Sequence, residues 1–347
     1  MDPTGRVALG RTEVTLTRLG LGLAPVGGLY RAVGDAPAVA AVDRAWQHGL
    51  RLFDTAPLYG YGRSERRAGA ALAGRDRDGF VLATKVGRLL VPSGDGEPAE
   101  QRSLWPEAPP EVVPRFDFSA RAVRRSLEES LDRLGLDRVD ILHIHDPDHH
   151  FGPALAEAYP ALAQLRAEGV IRAVGVGMNQ APMLARLIRE TAPPGARQST
   201  AAAGLDCVLL AGRYTLLDQS GLDDLLPLCA ERGVGVIIGG VFNSGILADP
   251  AAGARYNYAP APQRLLDKAY ALRRVCQRYD VPLRAAAVQF PLAHPAVTTV
   301  LVGADSPAQV DDAVAMATHE IPDGLWEALT AEGLLAEAAP TPARAHR

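Results

Sequence analysis

Cysteine is scarce in this chain. Cys207, Cys229 and Cys276 are scattered through 347 residues with no CxxC spacing. That argues against a disulfide framework and fits reduced thiols in a cytoplasmic protein. No apolar run approaches the roughly 18 residues that a membrane span needs. Met1-Asp2-Pro3-Thr4-Gly5-Arg6 lacks the charged-then-apolar pattern of a secretory leader. Basic residues are not in excess: 36 Lys and Arg stand against 40 Asp and Glu, a formal net charge of −4. A nucleic-acid partner is therefore not expected. What remains is 48% hydrophobic and 22% charged, ordinary for a globular protein and long enough to bury a sizeable core. The expected partner is a small-molecule substrate, met by a monomer or weak homo-oligomer.

Along the chain, short apolar runs alternate with helical patterns. A hairpin opens it, Val7–Leu9 against Val14–Thr17 around Gly10-Arg11-Thr12. Eight strand-like runs follow: Leu19–Ala24, Leu50–Phe53, Phe80–Ala83, Val139–Ile144, Ile171–Val176, Asp206–Leu210, Val234–Ile238 and Thr298–Val302. Helical segments separate them, at Pro37–Gln47, Ser64–Ala73, Ala120–Leu134, Pro153–Glu168, Ala181–Glu190, Leu222–Glu231, Arg264–Tyr279 and Pro307–Ala317. Ser119 is placed to cap the third of these. Eight such units predict an α/β fold, a (β/α)8 TIM barrel, in preference to a doubly wound sheet. Extra helices are expected near the C-terminus, at Leu283–Leu292 and Leu325–Leu335, with one barrel domain over 1–337 and a disordered tail over 338–347. Gly87–Asp117 and Arg255–Pro262 read as long loops after the third and seventh strands. In a barrel such loops carry the chemistry.

Three strand ends hold reactive side chains: Asp54 and Tyr59 after the second, Lys85 after the third, His143 and His145 at the end of the fourth. Parallel strands would bring them to one mouth. A buried Lys beside a phenol is expected to lower its pKa from about 10. An Asp would hold that Lys, and a His would orient a substrate oxygen. The set suits proton transfer at a carbonyl or hydroxyl oxygen. The alternative reading of the His143, His145, Asp146, Asp148, His149, His150 cluster is the metal site of a hydrolase. Such sites draw later His ligands, and no His lies between His150 and His294, so no metal is expected. His143 reads as a packing residue and His149-His150 as a solvated loop.

Asp54-Thr55-Ala56-Pro57-Leu58-Tyr59-Gly60, Ala83-Thr84-Lys85-Val86-Gly87 and Val139-Asp140-Ile141-Leu142-His143-Ile144-His145-Asp146 resemble, in order, the signatures of the aldo-keto reductase superfamily. Gly169–Val176 and Val302-Gly303-Ala304 are further similar segments, and the likeness runs from about Leu9 to Ala317. It implies a nicotinamide-dependent barrel with Tyr59, Lys85, Asp54 and His145 as catalytic tetrad. Arg88, His145-Asp146-Pro147-Asp148, Gly212–Leu217 and Phe242–Leu247 resemble the sugar-oxidising branch, the L-fucose, D-threo-aldose and galactose 1-dehydrogenases. A dedicated reductase of a specialised metabolite is the alternative, and a non-catalytic cofactor-binding barrel a more distant one.

The resemblance also implies a cofactor site. Asn179 matches the carboxamide-binding Asn, but Met178, Ala211 and Gly239 or Gly240 replace the usual Ser, Gln and ring-stacking Tyr. Val241, Phe242, Asn243, Ser244, Gly245 and Leu247 match the loop along the pyrophosphate. Ser306-Pro307-Ala308-Gln309 is a capping-box pattern. Where NADP-using relatives carry Lys or Arg, this chain has Gly303, Asp305, Gln309 and Asp312. NAD is therefore expected over NADP, since a carboxylate repels a 2′-phosphate and accepts from a ribose hydroxyl. Tyr30, Trp105, Arg213 and Tyr256 are candidates for the substrate wall.

Overall fold

The computed structural model describes residues 1–94, 102–192 and 204–342. The chain opens with the expected hairpin, β1 (Arg6–Ala8) antiparallel to β2 (Thr15–Thr17). Numbering then follows the chain through β3 (Leu19–Gly22), β4 (Leu52–Asp54), β5 (Val81–Val86), β6 (Arg88–Pro92), β7 (Val112–Phe116), β8 (Ile141–His145), β9 (Ala173–Met178), β10 (Cys207–Ala211), β11 (Gly235–Gly239), β12 (Arg255–Tyr256), β13 (Ala259–Pro260) and β14 (Val297–Gly303). Strands β3, β4, β5, β8, β9, β10, β11 and β14 pair in parallel and close into a barrel. These are the eight runs expected, so the fold is the (β/α)8 barrel and not an open sheet.

Alternation along the strands explains both the apolar runs and the site. Leu82, Leu142, Val174, Val208 and Ile238 pack outward on the helices. Val81, Ala83, Ile141, Ala173, Cys207, Leu209, Ile237 and Leu301 fill the barrel interior, where Leu9, Val14 and Leu16 of the hairpin close its foot. With side chains repeating every second residue, the inward row of β5 ends on Lys85 and that of β8 on His143 and His145. The inward row of β4 ends on Asp54. Parallel strands, buried on both faces, need such nearly continuous apolar sequences.

Ser119 caps the helix Ala120–Leu134 as expected, its Oγ accepting from the Ala122 N–H at 3.2 Å. The stretch expected as one helix to Leu292 is a helix over Leu283–Gln289 followed by a tighter turn, Phe290–Ala293, that contains Pro291. The loop expected over Gly87–Asp117 contains an antiparallel ribbon, β6 on β7. Arg255–Pro262 contains a small hairpin, β12 on β13. The C-terminal segment packs further than expected: Ala339 and Thr341 are buried, while 343–347 of the expected tail lie outside the described residues. Among the described residues no helix is long and apolar enough to cross a membrane.

Candidate active site

Asp54, Tyr59, Lys85 and His145 come together at the C-terminal mouth of the barrel. Lys85 Nζ donates to both Asp54 oxygens, at 2.8 and 2.7 Å, and to the Thr55 carbonyl at 2.9 Å. All three ammonium hydrogens are thereby used. The same Nζ lies 4.9 Å from the centroid of the Tyr59 ring. The His145 ring meets Tyr59 edge-on, centroids 5.9 Å apart. Tyr59 is held by a tight turn: its N–H donates to the Ala56 carbonyl and its carbonyl accepts from the Ser64 N–H. Gly60, at φ +62°, follows it, and a Cβ there would stand 2.1 Å from the Gly27 carbonyl oxygen. Only glycine allows the first and second loops to approach this closely.

The electrostatics correct one expectation. The Tyr59 phenol is pushed well above its usual value, not lowered: burial acts most strongly, Asp54 and Asp146 add to it, and Arg88 opposes. Burial likewise raises the Asp54 carboxyl, with the Lys85 ammonium opposing. His145 is depressed well below the usual imidazole range by burial, then by Arg88 and Lys85. At neutral pH the mouth therefore holds a neutral phenol and a neutral imidazole. His143 is depressed to about 3 by burial and by Lys85. It fills the layer beneath the site, where a Cβ on Gly175 would stand 2.3 Å from its Nδ1. It packs, as expected.

An ion pair between Arg88 and Asp146 borders the tetrad. Arg88 Nη2 donates to Asp146 Oδ2 at 2.8 Å, and the Arg88 guanidinium lies 4.3 Å from the centroid of the Phe116 ring. The same Asp146 oxygen is 3.5 Å from His145 Nε2. The motifs of Arg88 and Asp146, 58 positions apart, carry no sign that the two side chains meet.

The substrate candidates divide. Trp105, buried at 4% exposure, stacks on Tyr59 with centroids 5.8 Å apart and planes 26° from parallel. Tyr30 is hydrogen-bonded to Ser244 and packs at 6.2 Å against Tyr258. Arg213 and Tyr256 depart from the expectation. Arg213 Nη1 donates to the Tyr256 hydroxyl and Asn257 Oδ1, and the Tyr256 hydroxyl donates to Asp218 at 2.7 Å. Their polar groups anchor the β12–β13 hairpin. Its tip residue Tyr258, at φ +67° and half exposed, packs against Tyr30. No local feature of the sequence distinguishes Tyr256 from Tyr258.

The cofactor candidates divide too. Asn179 is half-buried just past β9, and Phe242 is half-buried against the core. Val241 and Leu247 are buried in the core, so their side chains do not line a surface site. The Asn243 side chain accepts from Thr215 Oγ1 at 2.7 Å and donates to the Gly212 carbonyl at 3.0 Å. It ties two loops together and does not face a phosphate. The N–H groups of Asn243, Gly245 and Leu247 donate to carbonyls of the same turn. Ser244, half-buried at φ +60°, and exposed Gly245 remain at its surface.

Around the last strand, Gly303 is exposed, and a Cβ there would press on Pro25 at 2.9 Å. Asp305 is not free. Arg31, from the loop after β3, grips it with Nε at 2.8 Å and Nη2 at 2.5 Å. Gln309 Oε1 accepts from the Asp305 N–H at 2.9 Å, where the capping-box pattern would have it reach Ser306. Asp312 pairs with Arg284 of the preceding helix at 2.8 Å, so the expected cofactor role is not supported for it. Ser306 makes no side-chain cap to the helix Pro307–Thr318, which leaves donors at its N-terminus. This uncapped start, with the small-residue turn at Ser244-Gly245, suits the phosphates of a dinucleotide.

Among the described residues no group of three His, Cys, Asp or Glu is placed to hold a metal. A hollow of about 300 Å³ lies at the opposite end of the barrel, lined by Val7, Arg18, Gly233 and His294. It is remote from the tetrad and shares no residue with it.

Comparison with known proteins gives a consistent picture. The model of the Aldo/keto reductase family matches residues 18–331. A D-threo-aldose 1-dehydrogenase from Pseudomonas sp. is 42% identical over 333 residues, 95% of this chain and 96% of that protein. A pyridoxal 4-dehydrogenase from Microbacterium luteolum is 41% identical, covering 94% of this chain and 97% of the relative. Among solved structures, an aldo-keto reductase from Bacillus halodurans in its holo form superposes with a TM-score of 0.73 at 24% identity, over 98% of this chain and 99% of the other. That last likeness bears on the fold alone.

Proposed function

The chain belongs to the aldo/keto reductase family and is a nicotinamide-dependent oxidoreductase, and from that premise we propose that it oxidises the anomeric carbon of an aldose, lactol to lactone. The Lys85–Asp54 pair beneath Tyr59, with His145 beside it at the mouth of a closed barrel, carries the proton chemistry, and the 42% identity to a D-threo-aldose 1-dehydrogenase supports an aldose as the substrate. The nicotinamide, when bound, accepts or gives the hydride. Ser244, Asn179 and the N-terminus of Pro307–Thr318 are the groups proposed to hold its carrier.

The chain's own residues do the rest. Tyr59 takes the proton from the substrate hydroxyl in oxidation and returns it to the carbonyl oxygen in reduction. Lys85, fixed by Asp54, places a positive charge under the phenol ring without donating to it. Neutral His145 orients the reacting oxygen. Trp105 lies flat on Tyr59 and shields it from water. Because Tyr59 is raised above about 10, its base form is scarce at neutral pH. The rate of oxidation is therefore expected to climb with pH through 7–10 without a plateau, while reduction stays flat across that range. Steady-state kcat/KM in both directions checks this. A plateau in oxidation below about pH 9 would contradict the raised phenol.

The neutral phenol also supports a second reading, reduction of a specialised-metabolite aldehyde or ketone, for which Tyr59 is already in its acid form. A panel of NAD or NADP with L-fucose, D-arabinose and pyridoxal, and of NADH or NADPH with a simple aldehyde, separates the two. Turnover of the aldehyde with none of the sugars would overturn the lactol reading.

NAD preference is part of the proposal. Asp305 supports it doubly, by its own charge and by engaging Arg31, a nearby cation that a 2′-phosphate would otherwise attract. Asp305→Asn is expected to move the NAD/NADP ratio of kcat/KM toward NADP by roughly tenfold, about 1.4 kcal/mol. An unchanged ratio would remove Asp305 from nucleotide choice.

A further inference from the structure

We propose that Asp146, held by Arg88, is the residue that recognises the hydroxyl on the carbon next to the reacting one, and so selects polyhydroxy substrates. The inference rests on the reading of the mouth as an aldose site. Asp146 follows the last residue of β8, where plain alternation would turn its side chain toward the helices. It adopts φ +44° instead, a left-handed conformation uncommon outside glycine but tolerated by Asp. Such backbone is retained where the surroundings fix it, and often at sites of function. Here the Asp146 N–H is fixed on the Gly177 carbonyl at 3.0 Å.

The consequence is a carboxylate beside the catalytic imidazole, with Oδ2 3.5 Å from His145 Nε2. That spacing is on the scale of two oxygens borne by adjacent carbons. A substrate whose reacting oxygen meets Tyr59 and His145 would present its neighbouring hydroxyl to Asp146. The side chain is 31% exposed against 13% for Arg88, so the acid opens on the mouth and the base stands behind it. Arg88 is itself fixed, its guanidinium on the Phe116 ring of the β6–β7 ribbon. Oδ2 receives the single Arg88 bond, which leaves lone pairs on the carboxylate to accept from substrate. Arg88 also opposes the burial that raises the Asp146 carboxyl, which favours its ionised, accepting form.

A site built to hydrogen-bond a substrate hydroxyl discriminates strongly against the analogue that lacks it, because its own polar group is left unpaired. The test compares D-arabinose with 2-deoxy-D-ribose, the same sugar without its C2 hydroxyl, and with 4-nitrobenzaldehyde in the reductive direction, in wild type and in Asp146→Asn. Wild type is expected to lose roughly 10- to 100-fold in kcat/KM on the deoxy sugar, mainly through KM. Asp146→Asn is expected to lose at least tenfold more on D-arabinose than on the aldehyde, and to discriminate little between the two sugars. Equal losses on all three substrates would make Asp146 a support for His145 only and overturn the proposal. A wild type indifferent to the C2 hydroxyl would overturn it without any variant. A wild type that reduces the aldehyde and oxidises neither sugar overturns the aldose reading, and this proposal with it.

Discussion

Tyr59→Phe is expected to lower kcat at least about 10²-fold in either direction, because a positioned general acid or base contributes typically about 10²–10⁴-fold. The ring is retained, so its stack on Trp105 and its contact with the Lys85 ammonium survive. Cofactor affinity, read by quenching of intrinsic fluorescence, should change little. The split between chemistry and binding is what identifies the hydroxyl as the proton carrier. Near-normal turnover by Tyr59→Phe would assign the proton to another group, and His145, already neutral by burial, would be the first to test.

Removing Lys85 should be felt in folding as much as in turnover. Lys85 and Asp54 are 2% and 3% exposed. Lys85→Met leaves a carboxyl buried without its cation, and breaking such a pair costs about 3–5 kcal/mol. Replacing both partners, Asp54→Leu with Lys85→Met, should recover much of that, since an apolar pair carries no charge to desolvate. The pH dependence follows from Asp54. Its folded pKa is raised by burial, with Lys85 opposing, so the fold favours the protonated form. In Lys85→Met the opposition is gone, and stability should be greatest below the carboxyl range, falling as pH rises through the folded value. Urea denaturation across pH 4–8 measures this. A single variant as stable as the double one would mean that the unpaired Asp54 carboxyl carries no burial penalty.

The parts of this molecule that could be read from sequence are those set by local periodicity. Parallel strands buried on both faces leave unbroken apolar runs, so all eight were visible, and the residues ending their inward rows were visible with them. Lys85 and His145 needed no tertiary information beyond that alternation. The parts that escaped are contacts across long separations. Arg88 meets Asp146 across 58 positions and Arg31 meets Asp305 across 274, and neither leaves a trace in any window of sequence. The expectation of Asp305 as a ribose partner therefore carries no hint of the guanidinium that grips it. Asn243 falls in a segment that resembles a phosphate loop, and nothing local shows that its amide ties two loops together. The ribbon β6–β7 looks like loop in sequence because Pro92 and Pro114 mask its alternation. The raised Tyr59 phenol is hidden for a different reason: sequence shows the nearby charges, while the larger effect is burial, which only the fold determines.

The central claim is that substrate C1–H leaves as hydride under control of Tyr59. Its most direct measurement uses D-arabinose carrying deuterium at C1, with NAD and purified protein, and follows the label by mass spectrometry and NMR. The account predicts that the deuterium is recovered in the reduced nicotinamide, on one face only, with a lactone as the other product. Deuterium found in water, or kept in the sugar product, would contradict it.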